Sequence, residues 1–368
     1  TMLGLYIAQL NYLAEAKEAI DPIIDLALKN NYKKRLCQLL TILGTYYHFV
    51  EEDTPKSLNS FEASLKIANE VQDVITLALG NYWYGFPLSF DCQFEQAAAY
   101  MQKAIDINVF VNNLWGIAAM KGTLSLLCHY MSGNITLGLH TAEEARQAAE
   151  KSGDVYPKGI AYTSYGTAHL SRGFFADAEK YLLEGLVFCD RSNLPTWRGV
   201  DHFNLGDTYY AMGDFSKSKE HYDQSYMIFE RSHLFPSFAA LAKVGYAKSK
   251  VMSHGEVDLK TFDDLYKNNK FKLYEGWMAK FIAEIFLNID DRHMTEAEDW
   301  IHKAIEANQR NGMRRHLGQD HALYAEFFKR KRDRLKAQEN LGKAIEILKE
   351  CGADGWVEKY EKELALIS

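Results

Sequence analysis

At 368 residues the chain exceeds the roughly 250–300 that one hydrophobic core serves, which leaves either several globular domains or a repeat array that escapes the limit. Its 47% hydrophobic and 25% charged residues exclude a largely disordered chain. With 42 basic against 49 acidic residues the net charge is -7, the wrong sign for a protein whose main partner is DNA or RNA.

Taken in chain order, the sequence returns on itself about every forty residues. A first column of mostly small residues runs Gly4, Gly44, Gly85, Leu126, Gly166, Gly206, Gly245, Glu284 and Ala325, in steps of 40, 41, 41, 40, 40, 39, 39 and 41. Twelve or thirteen residues further on stands a second column, Ala16, Ser57, Ala97, Gly138, Ala178, Ser218, Ala297 and Ala337, with the stretch near 257 out of register. Seven residues later comes a third: Ile23, Ser64, Ala104, Ala145, Gly185, Ser225, Ala304 and Ala344. Small residues at fixed places let antiparallel helices approach closely. Large ones fill the space beside them, as Phe61, Met101, Leu182, Tyr222, Ile301 and Leu341 do four residues after the second column.

The columns divide the chain into a truncated unit at 1–31 and complete units at about 32–73, 74–113, 114–154, 155–193, 194–233, 234–271, 272–312 and 313–354. A capping helix over 355–368 follows, whose Trp356, Tyr360, Leu364 and Ile367 fall on one face. Within units, Arg172-Gly173-Phe174 and Met212-Gly213-Asp214-Phe215 are turn sequences; between them stand helix-ending pairs such as Asn30-Asn31, Gln72-Asp73 and Ser192-Asn193. Six prolines in all, and no alternating valine-rich run, leave no signal for a sheet. The expected fold is all-α: a solenoid of antiparallel helix pairs, about eight complete, with an open concave face.

The order seen in Leu205-Gly206, Tyr209, Ser218, Tyr222 and Ser225 resembles the tetratricopeptide repeat, and the resemblance covers nearly the whole chain. The period departs from that family's standard 34 residues and is similar to its long-period branch, as in kinesin light chain, LGN-type adaptors and the helical domains of bacterial STAND ATPases. The stretch from Leu341 to Trp356 is similar to the last repeat of bacterial ATPase and nucleotide-cyclase regulators. The resemblance implies a right-handed superhelix that holds a protein or peptide. It places groove residues six and three before the first column and one and four after it. Among these, Thr41, His48, Tyr82, Phe86, Tyr130, Thr163, Thr167, Phe203, Asp207, Tyr210 and Tyr246 are the candidate binding residues. Repeated Lys and Asn are missing from those positions, which argues against a carboxylate clamp of the chaperone-tail type.

Only Thr1, Met2 and Leu3 precede Gly4, where complete units have about seven residues of helix. A first helix cut in this way suggests a polypeptide continuing upstream, into more repeats or an enzymatic module. No Walker-type loop, G-x-G-x-x-G, H-E-x-x-H or G-x-S-x-G run is present, so the segment is expected to be non-catalytic and to carry neither cofactor nor metal. His129 and His169 occupy equivalent places in adjacent units, where a core-filling ring accounts for both. Cys37, Cys92, Cys128, Cys189 and Cys351 show no C-x-x-C spacing and fit a reducing cytoplasm. The expected role is a binding scaffold or sensor segment of a larger bacterial signalling regulator, with a freestanding peptide receptor as the alternative. An α-helical transferase using the groove as its active site is a more distant third.

Overall fold

The computed structural model describes residues 12–367; Gly4 and the three residues before it lie outside that range. Among the described residues every regular element is helical. After α1 (Leu13–Lys29) the chain runs through antiparallel pairs: α2 (Lys33–Phe49) with α3 (Thr54–Glu70), and α4 (Val74–Phe90) with α5 (Phe94–Phe110). Next come α6 (Leu114–Leu124), prolonged by a π-helical turn at Ser125–Tyr130, with α7 (Ile135–Ser152), then α8 (Val155–Arg172) with α9 (Phe175–Arg191). The later pairs are α10 (Pro195–Met212) with α11 (Phe215–Ser232), α12 (Pro236–Met252) with the short α13 (Thr261–Lys267), α14 (Lys272–Ile289) with α15 (Met294–Arg310), and α16 (Arg314–Arg330) with α17 (Arg334–Cys351). Helix α18 (Asp354–Ile367) closes the array. The whole is a helical-repeat solenoid of the tetratricopeptide type.

The small columns work by close approach. A Cβ on Gly44 would lie 2.8 Å from Phe61, on Gly85 2.6 Å from Met101, and on Gly166 2.7 Å from Leu182, so each glycine makes room for the large residue of its own pair. Serines in the columns do more than stay small. Ser57 and Ser218 donate to the carbonyls of Gly44 and Gly206, and Ser64 and Ser225 to those of Cys37 and Gly199, which ties the paired helices together with buried hydrogen bonds. Asp53, Asp214 and Asp333 cap α3, α11 and α17 by accepting from the amide three residues on.

Three units depart from the pattern. In the third, sizes are exchanged: Leu126 sits where glycine is usual, and Tyr130, at the end of the π turn, covers Gly138 of α7 instead. In the sixth, α13 is too short to supply a filling residue, and Tyr222 packs against both Gly206 and Gly245. In the seventh, the small residue is Ala283, fully buried, and Glu284 belongs to the concave face. The expected column is therefore wrong by one residue there.

The larger difference is in how the solenoid coils. Ser237 donates through its amide and hydroxyl to the carboxylate of Glu52, 185 residues earlier, and Phe235 donates to the carbonyl of Phe49. Lys272 pairs with Asp91 at 2.8 Å. Further along, Trp356 donates to the Leu170 carbonyl and Arg172 pairs with Asp354. These contacts stack the second superhelical turn directly on the first. The expected open trough is instead roofed by the following turn, and one hydrophobic core runs through both.

Candidate functional site

Roofing the concave face leaves an internal chamber in two adjoining compartments. The first, a cavity of about 130 Å³, is lined by apolar side chains from the α4 to α12 region, closed by Tyr274 and Trp277 of α14. Of the offsets expected to face the groove, six before and one after the first column do so in all four of units two to five: Leu79 and Phe86, Met120 and Leu127, Ile160 and Thr167, Val200 and Asp207. Tyr82, Tyr130 and Phe203 line it too. Tyr82 is pinned by a 2.9 Å hydrogen bond between its hydroxyl and Thr123, and Asn204 donates to Thr167.

Other candidates are placed elsewhere. Thr41 donates to the Cys37 carbonyl and bonds Ser64, so it belongs to the α2–α3 contact. Thr163 is spent on the Gly159 carbonyl within its own helix. Tyr246 packs half-buried against the core outside the chamber. His48 is enclosed by Phe49, Phe86, Phe90, Phe235 and Phe271, with neither ring nitrogen hydrogen-bonded; burial lowers its pKa to about 3. It helps seal the seam between turns. Thr41 and Thr163 are thus taken up by backbone and neighbouring-helix contacts, whereas His48 is covered by the second turn.

Sequence reasoning missed a tier of aromatics in the first turn of the concave helices. Trp115, Tyr156, Trp197 and Phe238 recur at a spacing of 41 and all line the cavity; Trp115 and Tyr156 stack at 5.0 Å between ring centroids. That spacing was the available signal.

The second compartment, about 240 Å³, is charged and was not foreseen. Lys248, 3% exposed, lies 3.3 Å from Asp207 and 3.4 Å from Glu284, under the rings of Tyr210 and Phe281. Tyr222 donates to Asp207. Lys280 donates to Gln319 at 2.9 Å, and burial pulls its pKa down. Tyr210, a candidate residue, lines this compartment, and Arg315 lines both. Reading the seventh unit from Ala283 would have placed Trp277, Lys280 and Glu284 at the concave offsets.

Burial raises all five thiols, Cys92 and Cys128 to about 12, which leaves no thiolate nucleophile near neutrality. His169 stacks on Tyr181, and among the described residues no cluster of His, Cys, Asp and Glu is placed to hold a metal. No described helix is long and apolar enough to cross a membrane.

No family model matches the chain, and a search of curated proteins found no match. Solved structures do resemble it. The Rap conjugation gene regulator of plasmid pLS20, in complex with a Phr peptide, matches with a TM-score of 0.63 and 15% identity over 75% of this chain and 74% of that one. The apo form of RapI gives 0.54 and 15% over 94% and 96%. A Rap protein complexed with competence and sporulation factor gives 0.52 and 12% over 98% and 100%. At these identities the likeness establishes the fold.

Proposed function

We propose that this chain is a peptide-binding regulatory module whose ligand occupies the chamber between the two superhelical turns. The observation that carries the reading is the aromatic tier. Trp115, Tyr156 and Trp197 are half-buried with their rings toward a cavity, whereas cavity-wall rings that also belong to the core, such as Phe203 and Phe229, are fully buried. Rigid aromatics around an apolar pocket, with a few polar groups such as Asn204 and Asp207, are what peptide side chains need for anchoring. Two of the structural neighbours carry a ligand, one of them a peptide, which supports the reading by analogy.

In the fuller form of this proposal the module is the sensor segment of a larger cytoplasmic bacterial regulator of STAND or cyclase type, and ligand binding biases an attached domain. The segment itself is non-catalytic. Because the chamber lies between turns, a ligand there changes how the turns stack, and that is a means of signalling to a neighbouring domain.

A phage-displayed peptide selection on the immobilised protein, followed by titration of the winners, tests it. Trp197→Ala should weaken binding about tenfold or more with little loss of stability. Phe203→Ala should cost about 3–5 kcal/mol of stability through its cavity. Failure to select any peptide, or winners indifferent to Trp115→Ala and Trp197→Ala, overturns the proposal.

A further inference from the structure

Arg315 is the most anomalous side chain in the molecule. It is 8% exposed, yet among the described residues it forms no ion pair. One of its five donors goes to His316, whose imidazole burial keeps neutral, and its Nε has no partner at all. Asp207 and Asp320 act on its charge from a distance, but no carboxylate reaches it, and a buried guanidinium without a hydrogen-bonded counter-charge is costly to a fold, so a position that keeps one points to a partner absent from the protein itself. The guanidinium stands where the apolar cavity meets the charged compartment, beside Trp277, which also lines both.

The neighbours set the sign and size of the missing charge. Asp207 and Glu284 face the same compartment but are already engaged by Lys248, and Asp207 also by Tyr222. Asp320 is buried and accepts from Asn308; burial raises its carboxyl to about 7. Glu326 and Glu363 lie at the rim, where Lys329 is shared between them. Lys280 is held through Gln319, one turn beyond Arg315 on α16, and forms no ion pair among the described residues. In the interior Lys248, Lys280 and Arg315 thus face Asp207 and Glu284, both engaged by Lys248, and Asp320, held by Asn308. Lys280 and Arg315 are left without a carboxylate in ion-pair reach, which suits a monoanion, and the planar guanidinium fork matches a carboxylate.

We infer that Arg315, supported by Lys280, binds the carboxylate of a ligand whose adjoining apolar group fills the aromatic cavity: an apolar residue at a peptide's free C-terminus, or a small apolar carboxylic acid. The inference rests on the proposed peptide-binding role and specifies its chemistry. Trp277 borders both compartments, so acid and side chain can be held at once.

The test compares two randomised hexapeptide pools, one with free C-termini and one amidated, retained on the immobilised full chain and read by mass spectrometry. N-acetylphenylalanine serves as competitor. The free-acid pool should be retained at least tenfold better, enriched for apolar final residues, and Arg315→Met and Lys280→Met should each abolish that preference. Displacement by N-acetylphenylalanine at micromolar concentration would assign the site to small acids, and its failure to compete would assign it to peptides. Equal retention of amidated peptides overturns the carboxylate anchor and leaves the peptide-binding role standing. Retention of neither pool, without binding of N-acetylphenylalanine, overturns both. A ligand-free readout runs alongside: the thermal midpoint of Arg315→Met should hold or rise, and a clear fall would mark Arg315 as a structural residue instead.

Discussion

His48 shows how a single residue reports on the packing around it. A concave-face offset led to a binding role, but five aromatic rings surround it and no acceptor reaches either nitrogen. Folded His48 titrates at about 3 and an unfolded imidazole near 6.5, so between those values the unfolded chain holds one more proton at this site. Stability at this site is therefore complete above pH 6.5 and falls as pH drops through that window, by up to about 1.4 kcal/mol per unit. Asp320 acts in the opposite sense. Its folded value of about 7 lies above the ordinary 3.8, so its contribution is full below 3.8 and is lost as pH rises toward 7. His48→Phe should flatten the acid limb of stability measured by urea denaturation at pH 5 and 7; an unchanged slope would mean that the imidazole is reached by water.

The helix pair is the scale at which the sequence was most legible. Gly44, Phe61 and Ser57 announced their contact before any coordinates, because a close helix crossing needs a missing side chain on one helix and a filling one opposite. Two glycines separate that role from helix propensity. Gly166→Ala would put a methyl 2.7 Å from the Leu182 side chain and 2.9 Å from its backbone nitrogen, so overpacking of about 1–3 kcal/mol should outweigh the usual gain. Gly342, on α17 with nothing within 4 Å of a Cβ, should gain about 0.5–1 kcal/mol from the same change. Denaturation midpoints moving in the same direction for both variants would contradict this account. Register was less legible where a partner helix is irregular. Beyond the stunted α13, the assignment of Glu284 to the small column hid Lys280, and with it the charged half of the site.

At the scale of the whole molecule the decisive feature is the stacking of turns, some 185 residues apart in sequence. Gly173 is central to it: at φ +89° it caps α8, and a Cβ there would come within 2.5 Å of the Trp356 amide nitrogen. Gly173→Val should therefore part the turns near α18 while leaving the helices formed. The expected result is a larger radius of gyration by small-angle X-ray scattering with unchanged far-ultraviolet circular dichroism. An unaltered radius would show that the seam at Glu52 and Ser237 holds the coil by itself.

By itself the sequence determined the all-α repeat, the pairing within most units and half of the chamber's wall, because these depend on neighbours within about forty positions and leave a periodic trace. Only the tertiary structure decided that the trough is roofed, that His48 is sealed in a seam, and that Lys248, Lys280 and Arg315 meet in one buried compartment. Those outcomes depend on the pitch of the superhelix. Pitch accumulates from small rotations at every helix crossing, and no single residue encodes it.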